Sequence, residues 1–239
     1  MKVNAEQKVG QIVAEDYRTA DIFKKFRIDF CCGGGMTIAE ACSKKKVDQE
    51  KLIGELTYIL SNPSKGVVDY HQKSLAELID IIITRHHAYV LNNAPILREY
   101  LKKIASVHGS NHPELIEVLE EFLISEDELA KHMKKEEEIL FPFVLKMEES
   151  KKTGNAIDQQ QISSVISEML NEHENEGDRF ARIQEITNDF QFPQDACNTY
   201  KVAFHKLKEF QNDLHLHIHL ENNILFPEAV NLEKQIFQN

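Results

Sequence analysis

With 42% hydrophobic and 28% charged residues, the 239-residue chain has the make-up of an ordinary globular protein, long enough for one large or two small domains. A formal net charge of −11 argues against general affinity for nucleic acid or an anionic membrane, since both require basic patches. No stretch approaches a transmembrane span, MKVNAEQKVGQIVAED (1–16) lacks the apolar centre of a signal peptide, and four cysteines, two of them adjacent, do not resemble a secreted disulfide framework, so a cytoplasmic location is expected.

Helix formers dominate and alternating β-branched runs are scarce, which predicts an all-α protein. Residues 5–27 carry Val9, Ile12, Val13, Ile22, Phe23 and Phe26 at helical spacing, with a break near Tyr17–Thr19. Cys31-Cys32-Gly33-Gly34-Gly35 is expected to stop that helix, because glycine is costly inside a helix and free to take positive φ after one. Thr37 suits the cap of a following helix, and 47–60 offers another. SNPSKG (61–66) reads as a linker, separating a small helical domain (1–65) from the remainder (70–239).

Four long amphipathic segments follow. The first covers about 75–105, with a kink expected at Pro95; the second runs from Pro113 to about Glu148. The third covers about 157–187, and the fourth runs from about Ala196 to the Phe-Pro at 226–227 or slightly beyond. Short connections make neighbours antiparallel, so an up-down four-helix bundle is expected.

The chemistry concentrates in a repeat. HMKKEEEILFP (132–142) and HIHLENNILFP (217–227) both read His-x-x-x-Glu-x-x-Ile-Leu-Phe-Pro. Residues i and i+4 share one helix face, so His132 projects with Glu136 and His217 with Glu221. Leu129 and Leu140 flank the first pair, and Leu214 and Leu225 the second, which places both on the core-facing stripe. A buried glutamate beside a buried histidine needs a compensating charge, and a metal ion supplies one. His87 precedes His132, and His173 precedes His217, by nearly equal intervals. Two such hairpins would bring four histidines and two glutamates to one level, which favours a two-metal site with iron as first candidate and manganese second; spacing does not exclude zinc.

Each residue also has a plainer reading. A histidine such as His173 is commonly just a satisfied core residue. His86 and His87 are neighbours of which only one is expected to face the core squarely, and both stay open, with His87 preferred. His215 and His219 are themselves i, i+4 but have no matching copy in the first repeat, so they are expected to be solvated or to lie behind the ligands. Glu137 and Glu138 are expected to face solvent, and Pro142 and Pro227 to bend or end their helices. Cys31 and Cys32 suit redox or iron-relay chemistry, or else are small residues in a turn; Cys42 and Cys197 are expected to be ordinary buried residues.

At these residues the chain resembles the hemerythrin-like superfamily, and more closely the RIC (repair of iron centres) family of di-iron proteins. The resemblance rests on IDFCCGGGMTIAEAC (28–42), RHH (85–87), KHMKKEEEILFP (131–142), NEHENEG (171–177) and HIHLENNILFP (217–227). It implies a Cys-Cys-Gly-Gly domain followed by a hemerythrin-like bundle holding two iron ions bridged by an oxo or hydroxo group. His87, His132, His173 and His217 would be terminal ligands, and Glu136 and Glu221 would bridge. The implied function is repair of iron–sulfur clusters damaged by nitrosative or oxidative stress, through iron delivery. Alternatives are a nitric oxide or peroxide reductase at the same centre, or an oxygen or nitric oxide carrier or sensor. Expected partners are damaged iron–sulfur proteins, small diatomics and a second copy in a homodimer.

Overall fold

The computed structural model describes residues 3–62, 70–157 and 162–237, and among these it is all-α. An isolated antiparallel bridge, Lys8 with Thr37, is its one β-type pairing among the described residues. The expected linker at 61–66 lies outside the described residues from position 63 onward.

The chain divides into two compact units. The first comprises Met1–Ile79, Met147–Gln159 and Leu216–Asn239. It opens with α1 (Val9–Glu15) and α2 (Thr19–Lys25), then α3 (Ile38–Lys45) and α4 (Gln49–Ser61). Thr37 caps α3 through a reciprocal capping box with Glu40, and the Asp48 side chain caps α4. The first helix is not stopped by the glycines. It breaks at Asp16–Arg18, resumes, and ends at Lys25, where Arg27 takes φ 56°. None of Gly33, Gly34 and Gly35 has a positive φ. Instead the segment 33–36 lies against the start of α1, with Gly10 N donating to Gly34 O (2.8 Å) and Val9 N to Met36 O (2.9 Å). Val9, Ile12, Val13, Phe23, Ile38, Leu52 and Leu56 form this unit's apolar centre.

The second unit comprises Asp80–Lys146 and Gln160–His215. Its four rods belong to the helices that follow α5 (Leu75–Ile81): α6 (Ala88–His108), α7 (Glu114–Lys135), α9 (Ile162–Ile186) and α10 (Asn198–Leu220), with α8 (Phe141–Thr153) continuing α7 and α11 (Phe226–Phe237) continuing α10. Buried residues recur at three- and four-residue intervals, as in Leu97, Leu101 and Ile104 or Met169, His173, Glu176, Phe180 and Ile183. Phe210 ties three rods to α10: its ring lies 5.4 Å from Phe122 of α7, 5.8 Å from Phe180 of α9 and 5.9 Å from Tyr89 of α6. Pro95 sits inside α6, which runs on to His108.

Among the described residues, three π-helical turns, Ile82–His87, Glu136–Leu140 and Glu221–Leu225, interrupt otherwise continuous helix. Pro142 and Pro227 therefore neither end nor break their helices, contrary to expectation. A proline ring would clash with the carbonyl four residues back in an α-helix. The π-turn widens the backbone just ahead of it, with Phe141 N bonding to Glu136 O and Phe226 N to Glu221 O. The wider turn also keeps residues spaced by four on one face: His132, Glu136 and Leu140 are all buried, as are His217, Glu221 and Leu225. At 82–87 it buries both His86 and His87, where a regular helix would turn one of them away.

Candidate metal centre

In the second unit, His87 ends a π-turn, His132 lies in the last turn of α7, Glu136 opens the next π-turn and His173 lies midway along α9. Glu136 is 0% exposed and its two oxygens face two imidazoles: Oε2 lies 3.4 Å from His87 Nε2 and Oε1 lies 3.3 Å from His132 Nε2. His132 Nε2 and His173 Nε2 are 2.9 Å apart. One ligand atom from each of His132, Glu136 and His173 falls within 4.8 Å of the others.

The outward-facing nitrogens are engaged as well. His87 Nδ1 donates to Glu137 Oε1 (2.7 Å), and His132 Nδ1 donates to Glu172 Oε2 (2.8 Å). A carboxylate accepting from Nδ1–H fixes the tautomer that turns the Nε2 lone pair inward and makes it a better electron donor. Burial raises the Glu172 carboxyl, but Lys135 and His132 outweigh it and hold the group below its usual value. Glu137 and Glu138 are both exposed, as expected, but the Glu137 carboxylate also reaches back to the His87 ring. His86 is turned elsewhere, its Nδ1 donating to Asp213 Oδ1 (3.0 Å). One turn below His173, Glu176 is buried, accepting from Ser125 Oγ (2.6 Å) and Arg179 Nε (2.7 Å), and burial pushes its carboxyl upward. Sequence reading missed Glu172 and Glu176. Their only signal was an acidic residue one place before, and one turn after, a core histidine.

In the first unit, His217 Nε2 lies 3.1 Å from Glu221 Oε1, both fully buried. His219 is not solvated: it is 0% exposed, with Tyr17 and Phe30 each 5.9 Å from its ring, and burial drives its pKa down to about 3. His215, which closes the second unit, is half-buried.

The first unit also holds the cysteine pair. Cys31 is buried and Cys32 half-buried, with their sulfurs 3.8 Å apart. The Asp29 carboxylate accepts from the backbone N–H groups of Cys31 (2.9 Å), Cys32 (3.0 Å) and Gly33 (2.8 Å) and from the Cys31 thiol (3.2 Å). The neighbouring Cys32 thiol, burial and the Asp29 charge push the Cys31 thiol well above its usual range. The turn is seated on the π-turn after His217: Asn222 Nδ2 donates to Cys31 O (3.2 Å), and Asn223 Nδ2 to Phe30 O (3.2 Å) and Cys31 O (3.3 Å). Gly10 and Gly34 make room for Asn223; a Cβ on either would stand 2.1 Å or 2.5 Å from its Oδ1. Cys42 is buried, as expected, but Cys197 is exposed, with Sγ 3.2 Å from His108 Nε2. It lies just ahead of α10.

In each unit, then, imidazole lone pairs and carboxylate oxygens face one another away from water, an arrangement that a cation reconciles. Nitrogen and oxygen donors of this kind suit iron, manganese or zinc. The chain is similar to known proteins along its length. Residues 78–229 match the family described as hemerythrin HHE cation binding domain, and residues 5–59 match ScdA_N, described as a domain of unknown function. Among relatives, the iron-sulfur cluster repair protein ScdA of Staphylococcus haemolyticus is 34% identical over 94% of this chain and 98% of its own length. YtfE of Escherichia coli O157:H7, also named an iron-sulfur cluster repair protein, is 35% identical over 94% of this chain and 97% of its own. ScdA of Staphylococcus epidermidis is 30% identical over 95% and 99%. Matched along nearly its whole length by these relatives and by a cation-binding domain that spans the repeat, the chain belongs to the iron–sulfur cluster repair family.

Proposed function

We propose that this chain repairs iron–sulfur clusters damaged by nitrosative or oxidative stress, in the cytoplasm, by delivering iron from a di-iron centre. His87, His132, His173 and His217 would hold the two ions as terminal ligands, and Glu136 and Glu221 would be shared between them together with an oxo or hydroxo group. The observation that carries the reading is the group His87, His132, Glu136 and His173, whose donors converge while Glu137 and Glu172 hold two of the rings from behind. The repeat supports extending the set to His217 and Glu221, whose own spacing is 3.1 Å. Bound there, iron is a Lewis-acidic, redox-active ion held by imidazole and carboxylate, which release it more readily than a thiolate cage does. The chain's part is to orient the rings, exclude water and keep Nε2 unprotonated.

The test is metal analysis with an optical spectrum on aerobically purified protein, beside His132→Ala. About two irons per chain, with oxo-bridge charge-transfer bands that the variant loses, is the expected result. Zinc, a single metal or an unaffected variant overturns the ligand assignment. Failure of the loaded protein to pass iron to an apo-cluster protein under reducing conditions overturns delivery.

A further inference from the structure

We infer that Asp29, Cys31 and Cys32 form a second metal site, a cradle of two sulfurs and one carboxylate oxygen for a thiophilic divalent cation such as Fe2+ or Zn2+. Its ligand atoms lie within 4.8 Å of one another. The spacing is that of a tetrahedral centre. Two thiolates at about 2.3 Å from a common ion are held about 3.8 Å apart by a tetrahedral angle. The two sulfurs stand 3.8 Å apart, and Asp29 Oδ1 stands 3.2 Å from Cys31 Sγ.

The cradle is held in place before any ion arrives. Three backbone N–H groups fix the Asp29 carboxylate, which still has lone-pair capacity, because a carboxylate offers about four acceptor positions. From behind, Asn222 and Asn223 hold the Cys31 and Phe30 carbonyls, and Gly10 and Gly34 admit Asn223 close to the turn. Asp29 is exposed and Cys32 half-buried, which leaves one side open for a fourth ligand. On binding, two S–H bonds break and two metal–sulfur bonds form; both protons leave to solvent, and no electron is transferred. Two thiolates and a carboxylate select a soft or borderline divalent ion over Mg2+ or Ca2+. Of the two roles that adjacent cysteines suggest, this geometry favours holding metal over forming a disulfide, which adjacent cysteines close only with strain. The site stands independently of the di-iron reading.

The experiment titrates Co2+, as a stand-in for Fe2+ or Zn2+, into the metal-depleted, reduced full-length protein and follows thiolate-to-cobalt charge-transfer absorption. Expected is a saturable near-ultraviolet band that persists in His132→Ala and Cys197→Ser and vanishes in Cys32→Ser. Asp29→Asn keeps an oxygen for the Cys31 and Cys32 N–H groups, gives up the acceptor of Gly33 N–H and removes the charge, and should weaken binding by at least about tenfold. Absence of the band, or its survival in Cys32→Ser, overturns the site; unchanged affinity in Asp29→Asn overturns carboxylate ligation. Because His132→Ala disables only the bundle ligands, loss of the di-iron centre and loss of this site are separately visible.

Discussion

At the residue scale, position decides what a side chain does. Cys197 and Cys31 are both thiols, yet their environments drive them in opposite directions. The backbone N–H of Tyr200, at the start of α10, and the His108 ring beside it lower the Cys197 pKa from 9.0 to about 7. The native thiol releases its proton at lower pH than the unfolded one, so its contribution to stability is complete above 9 and is lost as pH falls through about 7. Alkylation at Cys197, followed by peptide-resolved mass spectrometry, should be half-maximal near pH 7, and His108→Ala should move that midpoint upward. A midpoint near 9 in the native protein would show that neither group acts on the thiol.

At the scale of elements, the π-turns and the close approach of Gly10 and Gly34 to Asn223 do what regular helix cannot. The two repeats use the same helix positions differently: Glu137 steadies His87, whereas Asn222 and Asn223 hold the cysteine turn. Gly34→Ala would place a methyl 2.5 Å from Asn223 Oδ1 and 2.6 Å from Phe30 O. It should destabilise the protein by roughly 1–3 kcal/mol, read as a lower thermal midpoint. Gly54, exposed within α4 with nothing within 4 Å of an added Cβ, is the opposite case. Gly54→Ala should stabilise by roughly 0.5–1 kcal/mol, through helix propensity. Equal effects in the two variants would contradict the close approach at Gly34.

For the whole molecule, metal and stability are one equilibrium, since an ion that binds only the folded chain stabilises it by mass action. All six proposed ligands are buried. Removing iron with a chelator should therefore lower the calorimetric midpoint by roughly 5–10 °C, the effect of metal at about a hundred times its dissociation constant. His132→Ala should begin near the lower value and not respond. An identical midpoint with and without chelator would mean that the ligands are organised without the ion.

What the sequence determined by itself was periodic or repeated. Apolar spacing of three and four marked the long helices, Thr37 and Glu40 marked a cap, and His-x-x-x-Glu put His132 beside Glu136 and His217 beside Glu221, because each depends on neighbours one turn away in the same helix. The tertiary structure alone decided the rest. It turned His87 to Glu136 and His86 to Asp213, drew Glu137 behind His87 and Glu172 behind His132, buried His219 between Tyr17 and Phe30, and left Cys197 exposed. It also gave the glycines beside Cys31 and Cys32 a packing role instead of a helix-stopping one. These outcomes depend on partners far away in the chain and on a π-turn that shifts the helix face by a residue, and neither leaves a local period to be read.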